Sequence, residues 1–148
     1  MTEQHQSLQI ETRGGTEDIS DALAVRWAVF VEDQDVPVDL EIDGLDAEAE
    51  HFIGYVGDEA VAAARIRPYG HEGVKVERVS VLAAHQGKGY GKTLMRHILG
   101  RLDAQERPSV LEAQVHALGF YENLGYSATG DVFMDAGIPH RKMERAAV

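Results

Sequence analysis

The stretch that decides the fold is Val74-Lys75-Val76-Glu77-Arg78-Val79-Ser80-Val81-Leu82, followed a short turn later by Gln86-Gly87-Lys88-Gly89-Tyr90-Gly91-Lys92-Thr93. The first part reads as a strand, but its apolar residues sit at even positions (Val74, Val76) and then at odd ones (Val79, Val81). Because side chains alternate faces with a period of two, a change of parity needs one extra residue. A β-bulge near Glu77 or Arg78 supplies it, kinking the strand and leaving backbone groups unpaired. A flush two-sided strand that tolerates Glu77 is the plainer alternative. The second part is a glycine-rich turn, and Leu94, Met95, Ile98, Leu99 and Leu102 then mark one face of a helix. Strand, glycine turn and helix N-terminus make a phosphate cradle, since the first helical N–H groups have no intrahelical acceptor and the dipole favours an anion.

Which phosphate the cradle takes follows from the glycine spacing. A nucleotide P-loop needs glycine five residues before Gly91, where Gln86 stands. The dinucleotide fingerprint needs glycine three residues after Gly89, where Lys92 stands. The pattern Gln/Arg-x-x-Gly-x-Gly/Ala is met in full by Gln86, Gly89 and Gly91. It resembles the pyrophosphate loop of the GNAT superfamily of acetyl-CoA-dependent N-acyltransferases. Glu77-Arg78-Val79-Ser80-Val81 with the loop and Leu94-Met95 resembles GNAT motif A, and the run from Ala117 through Phe120-Tyr121 to Gly125-Tyr126 resembles motif B. Ala113-Gln114, Phe120-Tyr121 and Gly137-Ile138-Pro139-His140 are further similar to the small ElaA/YjcF-like branch. Gln86 departs from the arginine usual at its position, which removes a charge from the pyrophosphate end. The resemblance implies an α/β (α+β) fold: a mixed, mostly antiparallel central sheet of six or seven strands, splayed at the acetyl-CoA site and flanked by three or four helices.

The rest of the chain reads consistently with that class. Leu8 to Thr12 alternates as a short strand, and Thr16 offers an N-cap with Glu17 and Asp18 in the first turn of a helix carrying Ile19, Leu23, Trp27 and Phe30. Asp39 to Glu50, with six carboxylates and few large apolar residues, reads as an acidic loop. It is either a solvated connection or one wall of a site for a cationic acceptor. His51 to Val56 and Ala60 to Arg67 pair as strands across Gly57-Asp58-Glu59. Ser109 to Val115 is an apolar strand. Ala117, Phe120, Tyr121 and Leu124 share a helix face, with Gly125 at the left-handed cap position. Two further short strands fall between Tyr126 and Met143. No repeat or linker divides the chain, so residues 1–148 are expected to form one N-acetyltransferase domain.

Composition bounds the chemistry. A chain of 148 residues can bury roughly 68–70 % of its unfolded surface and needs no staple. It has no cysteine, which removes thiolate nucleophiles and Cys-built metal sites. The 25 acidic against 14 basic residues, a formal charge of −11, argue against nucleic acid or an anionic membrane as partner. No apolar run approaches membrane-spanning length and Met1 to Gln9 is polar, so a cytoplasmic location is expected. No His or carboxylate cluster has metal spacing, so no metal is expected.

The resemblance implies direct acetyl transfer from acetyl-CoA to a primary amine in a ternary complex. In that reading Val79, Ser80 and Val81 offer backbone to the pantetheine and thioester, and Gln86, Gly87, Lys88, Gly89, Tyr90, Gly91 and Lys92 hold the pyrophosphate. Tyr121, beside the thiol, is the candidate general acid, since a phenol of pKa ~10 can protonate a thiolate of pKa ~8.5 while un-ionised at neutral pH. Glu77 at the bulge is the candidate base, acting through water, and His140 on its Gly-Ile-Pro turn is a second proton relay or substrate contact. A non-catalytic acetyl-CoA-binding or regulatory module is the alternative, and a homodimer is compatible with either.

Overall fold

The computed structural model describes residues 7–148, so positions 1–6 of the polar Met1–Gln9 stretch lie outside it. Seven strands form one sheet: β1 (Gln9–Gly14), β2 (Glu50–Val56), β3 (Glu59–Tyr69), β4 (Gly73–Val81), β5 (Ser109–Gln114), β6 (Ser127–Asp135) and β7 (Ile138–Arg145). Their order is β1-β2-β3-β4-β5-β7-β6, and every pairing is antiparallel except β4 with β5. The α-helices are α1 (Ser20–Arg26), α2 (Val38–Glu41), α3 (Tyr90–Ala104) and α4 (Leu118–Glu122). A π-helical turn, Trp27–Asp33, prolongs α1. The mixed, mostly antiparallel sheet with flanking helices is the class read from the sequence.

The change of parity in β4 is a bulge. Ser80 pairs with Ala63 and Glu77 with Arg65, so Arg78 and Val79 both stand opposite Ala64. Arg78 takes φ +59°, a left-handed conformation that costs a non-glycine residue about 1–2 kcal/mol. The extra residue keeps Val74, Val76, Val79 and Val81 on one face, packed with Leu94, Met95, Ile98 and Leu102 of α3 in the main core. Burying four such α3 side chains contributes roughly 1.5–3 kcal/mol each. A smaller core on the opposite face joins Ala22 and Val25 of α1 to Ile53 and Ala63.

Two expectations are corrected. Thr16 is not the cap of the first helix: the N-cap is Ile19, without a side-chain bond. Thr16–Asp18 instead close a turn after β1, in which the Glu17 N–H reaches Gly14 O at 3.0 Å and the Glu17 carboxylate accepts the Gly14 N–H at 2.6 Å. The acidic segment is not a solvated loop or a free anionic wall, because five of its six carboxylates, all but the exposed Asp39, pair with arginines. Buried Arg26 grips Glu41 at 2.7 and 2.8 Å and Asp46 at 2.7 Å, and fully buried Arg65 grips Asp43 at 2.6 and 3.0 Å and Asp46 at 2.8 Å. Although burial pushes up the pKa of both Asp43 and Asp46, these arginines outweigh it and hold the two carboxyls below the usual range.

Candidate active site

β4 and β5 pair only at Val74↔Ser109 and Lys75↔Val110 and then separate. The bulge bends β4 away, while β5 stays paired with β7 as far as Gln114↔His140. Between them opens a cavity of about 410 Å³, lined by Val76 to Val81 from β4, Leu111 to Gln114 from β5, and Phe120, Tyr121 and His140. This is the splay expected of the sheet.

The bulge also decides which backbone donors face the gap. The Leu82 N–H bonds Val61 O on the β3 side at 2.9 Å. Successive N–H groups point to opposite edges of a strand, so those of Val81 and Val79 point into the gap, where β5 has left no acceptor. Before the bulge the Val74 N–H bonds Pro108 O at 3.1 Å, on that same side. One extra residue therefore brings Val79 and Val81, which the sequence reading named, into donor positions.

Beyond β4 the loop turns on two left-handed glycines, Gly87 (φ +79°) and Gly89 (φ +84°), and Gly89 is the N-cap of α3. Thr93 makes the first intrahelical bond, to Gly89 O at 3.0 Å, so the N–H groups of Gly91 and Lys92 lie ahead of the helical ladder. Gln86 and Gly91 line the cavity, whereas Gly87, Lys88, Gly89 and Lys92 are exposed on the loop. Gln86 ties loop to strand by donating from Nε2 to Val81 O at 3.1 Å. A Cβ at Gly91 would meet Phe120 and Val81 at 3.6 Å, an ordinary contact, so the position has room for a methyl group, and nothing larger is needed to reach both walls.

The remaining named residues separate by environment. Tyr121 packs its ring edge-on against Phe120 (5.0 Å) and Tyr126 (6.0 Å), and its hydroxyl has no partner among the described residues. Burial, with a smaller contribution from Tyr126, pushes its phenol pKa up, so it stays a proton donor. His140 is buried in β7, not exposed on a turn. Its Nδ1–H donates to Ile138 O at 2.7 Å, which leaves Nε2 as the ring nitrogen without a hydrogen-bond partner among the described residues.

Glu77 lines the cavity, but Arg67 Nε binds its carboxylate directly and Arg65 stands 3.4 Å away. Burial alone would raise its pKa; the Arg67 bond and the Arg65 charge prevail and lower it. Glu77 is thus a weaker base than its position at the bulge led the sequence to imply. Ser80 is buried with its hydroxyl turned to Ala63 O and Arg78 O, at 3.3 and 3.2 Å, and by the same alternation its N–H faces β3, so neither group is offered to the gap. The Tyr90 side chain belongs to the core, so its part is confined to the backbone.

A second cavity of about 140 Å³ shares Phe30, Gln34, Arg78, Gln114, Asp135 and His140 with the first. Its other walls are mainly apolar: Val36, Leu40, Ala136 and Ile138. Across the junction a polar chain runs from His116 Nε2 to Gln114 Oε1 (2.7 Å) and from Gln114 Nε2 to Gln34 Oε1 (2.9 Å). The sequence reading missed Phe30, Gln34 and Asp135 as wall residues, since none lies in a motif. The π-helical turn that displaces Phe30 has no compositional mark. Among the described residues no group of three or more His, Asp or Glu is placed to hold a metal ion, and no helix is long and apolar enough to cross a membrane.

This geometry recurs in known proteins. Residues 16–147 match the family model described as the acetyltransferase (GNAT) domain. An uncharacterized N-acetyltransferase, YjcF, of Bacillus subtilis is 40 % identical over 129 residues, covering 86 % of this chain and 91 % of that protein. The crystal structure of Escherichia coli ElaA superposes with a TM-score of 0.84 at 32 % identity, covering 94 % of this chain and 99 % of the other. An acyl-CoA N-acyltransferase from Pseudomonas aeruginosa gives the same TM-score at 28 % identity over 95 % and 100 % of the two chains. With its bulged strand, splayed sheet and glycine turn in their places, the chain belongs to the GNAT acetyltransferase family, in the branch that includes ElaA and YjcF.

Proposed function

We propose that this protein transfers an acetyl group from acetyl-CoA directly to a small primary amine in a ternary complex. The observation that carries the reading is the pair of Val79 and Val81 N–H groups facing a cavity that leads to the N-terminus of α3. A long acyl-CoA arm fits such a gap: its diphosphate meets the loop and helix N–H groups, and its amides meet the vacated edge of β4. Fixed backbone donors at Val79 and Val81 stabilise negative charge as it builds on the thioester oxygen, typically worth a few kcal/mol per donor. Tyr121 delivers its proton to the departing sulfur. Nε2 of His140 takes the proton that the attacking nitrogen must lose, and Glu77, held by Arg67, contributes charge instead of accepting the proton.

The acceptor enters through the smaller cavity, which meets the larger one at His140. Its walls favour a compact amine with an apolar body over a polyamine, since Glu41, Asp43 and Asp46 are already neutralised by arginines. Asp135 is the exposed carboxylate at its mouth, with no ion-pair partner among the described residues. The test is free-thiol release from acetyl-CoA across a panel of primary amines, paired with calorimetry of CoA binding. Turnover with compact monoamines ahead of polyamines is expected. Binding without turnover for any amine would overturn the enzyme reading and leave a non-catalytic acetyl-CoA-binding module.

A further inference from the structure

Arg78 has features that a simple bulge does not require. A left-handed bulge residue is most easily glycine, yet here an arginine holds φ +59°. Its guanidinium is half-buried and makes four contacts, all on one short segment: Nε to Glu41 Oε2 (3.2 Å), and Nη2 to Leu40 O (3.0 Å), Glu41 O (3.2 Å) and Asp43 Oδ2 (3.3 Å). That segment, α2 and the residues after it, supplies Leu40 and Glu41 to the wall of the smaller cavity. Arg78 itself lines both cavities.

The same residue therefore shapes β4 so that the Val79 N–H faces the gap and holds the opposite wall at a set distance from it. We infer that Arg78 is a positioning residue, which clamps the α2 segment against the bulge and so fixes where the acceptor amine stands relative to the thioester. The fold does not need the clamp. Glu41 keeps two bonds from Arg26, and Asp43 keeps two from Arg65, when Arg78 is removed. A charged, five-donor fork suits the task because it engages two carbonyls and two carboxylates at once, which a lysine ammonium cannot reproduce in one plane.

The inference rests on the acyltransfer reading for its kinetic consequence but not for its structural one, and the experiment separates the two. Arg78→Gly relieves the backbone conformation while deleting the clamp, and Arg78→Lys restores one charge without the fork. With Arg78→Gly the melting temperature should hold or rise, CoA affinity by calorimetry should stay within about twofold, and kcat/KM for the amine should fall on the order of 10- to 100-fold. Arg78→Lys should recover part of the loss. Amide exchange over residues 38–43 should quicken about tenfold or more in Arg78→Gly, whether or not an amine substrate is in hand. Unchanged exchange in that segment would overturn the clamp. Quickened exchange with wild-type kcat/KM would overturn its role in positioning the amine, and a collapse of the melting temperature would make Arg78 a structural residue only. Should the wild-type protein turn over no amine, the exchange result still decides the clamp, and the acyltransfer reading fails by itself.

Discussion

Removing one oxygen tests the chemistry most sharply: Tyr121→Phe. The phenylalanine keeps the ring that meets Phe120 at 5.0 Å and Tyr126 at 6.0 Å. No protein hydrogen bond is lost among the described residues, so stability should move by less than ~0.5 kcal/mol, or about 1–2 °C in melting temperature. Loss of a general acid costs about 10²–10⁴-fold in rate, equivalent to roughly 3–5 kcal/mol in the barrier. The expected signature is therefore a large fall in kcat, read as thiol release, with KM for acetyl-CoA nearly unchanged. The pH dependence adds a second readout. Burial raises the Tyr121 pKa, so in the wild type the donor remains protonated beyond the ordinary ~10, and any alkaline limb it causes lies above that value and vanishes in the variant. Folding is linked in the same sense: the unfolded phenol ionises first, so this stabilisation is complete below pH ~10 and is lost as pH rises further. Wild-type kcat with an intact profile would refute the argument and return Tyr121 to a packing role.

Three other outcomes are expected. Gly89→Asp should fold at a cost of about 1–2 kcal/mol, since a Cβ there meets nothing within 4 Å but φ +84° is strained for a side chain, and should weaken acetyl-CoA binding by calorimetry about tenfold or more, because it brings negative charge to the helix N-terminus. His140→Gln should lower kcat/KM for the amine roughly 10²–10³-fold, while Glu77→Gln, at an ion-paired site, should have the smaller effect. Arg65→Ala strips Asp43 and Asp46 of their shared buried partner and should cost about 3–5 kcal/mol, a fall of roughly 10 °C by scanning calorimetry. Because the folded-state pKa values of Asp43, Asp46 and Glu77 are lowered, the wild-type stability they provide is present above about pH 4 and is lost as pH falls further, which urea titrations at pH 7 and pH 3 would measure.

The elements of the half that carries the bulge and the glycine turn were legible because local rules and tertiary demands agree there. A parity change can only be a bulge if all four valines are to reach one core, and they do. Gly87, Gly89 and Gly125 sit where the backbone takes φ of +79°, +84° and +98°, conformations that composition alone can announce. Where the reading slipped, the deciding contact left no mark in the composition of the segment itself. Thr16 looked like a cap because nothing local revealed that Glu17 would turn back to Gly14. His140 looked like part of a Gly-Ile-Pro turn because its seat in β7, with Phe133 of β6 stacked 5.9 Å away, is a property of strand pairing. Glu77 looked like a base because its two arginine partners come from β3, ten and twelve positions earlier.

The acidic segment carries the same point into function. Read along the chain, its carboxylates add up to a negative wall; read in space, they meet Arg26 from α1, Arg65 from β3 and Arg78 from β4. Buried pairs of this kind give little net stability over well-packed apolar residues, since desolvation offsets much of their attraction. What they do supply is direction: a guanidinium bonded to two carboxylates admits few arrangements, whereas an apolar contact admits many. Four residues of helix between two loops, as in α2, have almost no intrinsic stability. Anchoring α2 through Arg26 and Arg78, with Arg65 holding Asp43 just beyond it, gives the smaller cavity a defined wall without a large core of its own. An acidic stretch lying among buried arginines is therefore evidence about the shape of a site before it is evidence about the charge of its substrate.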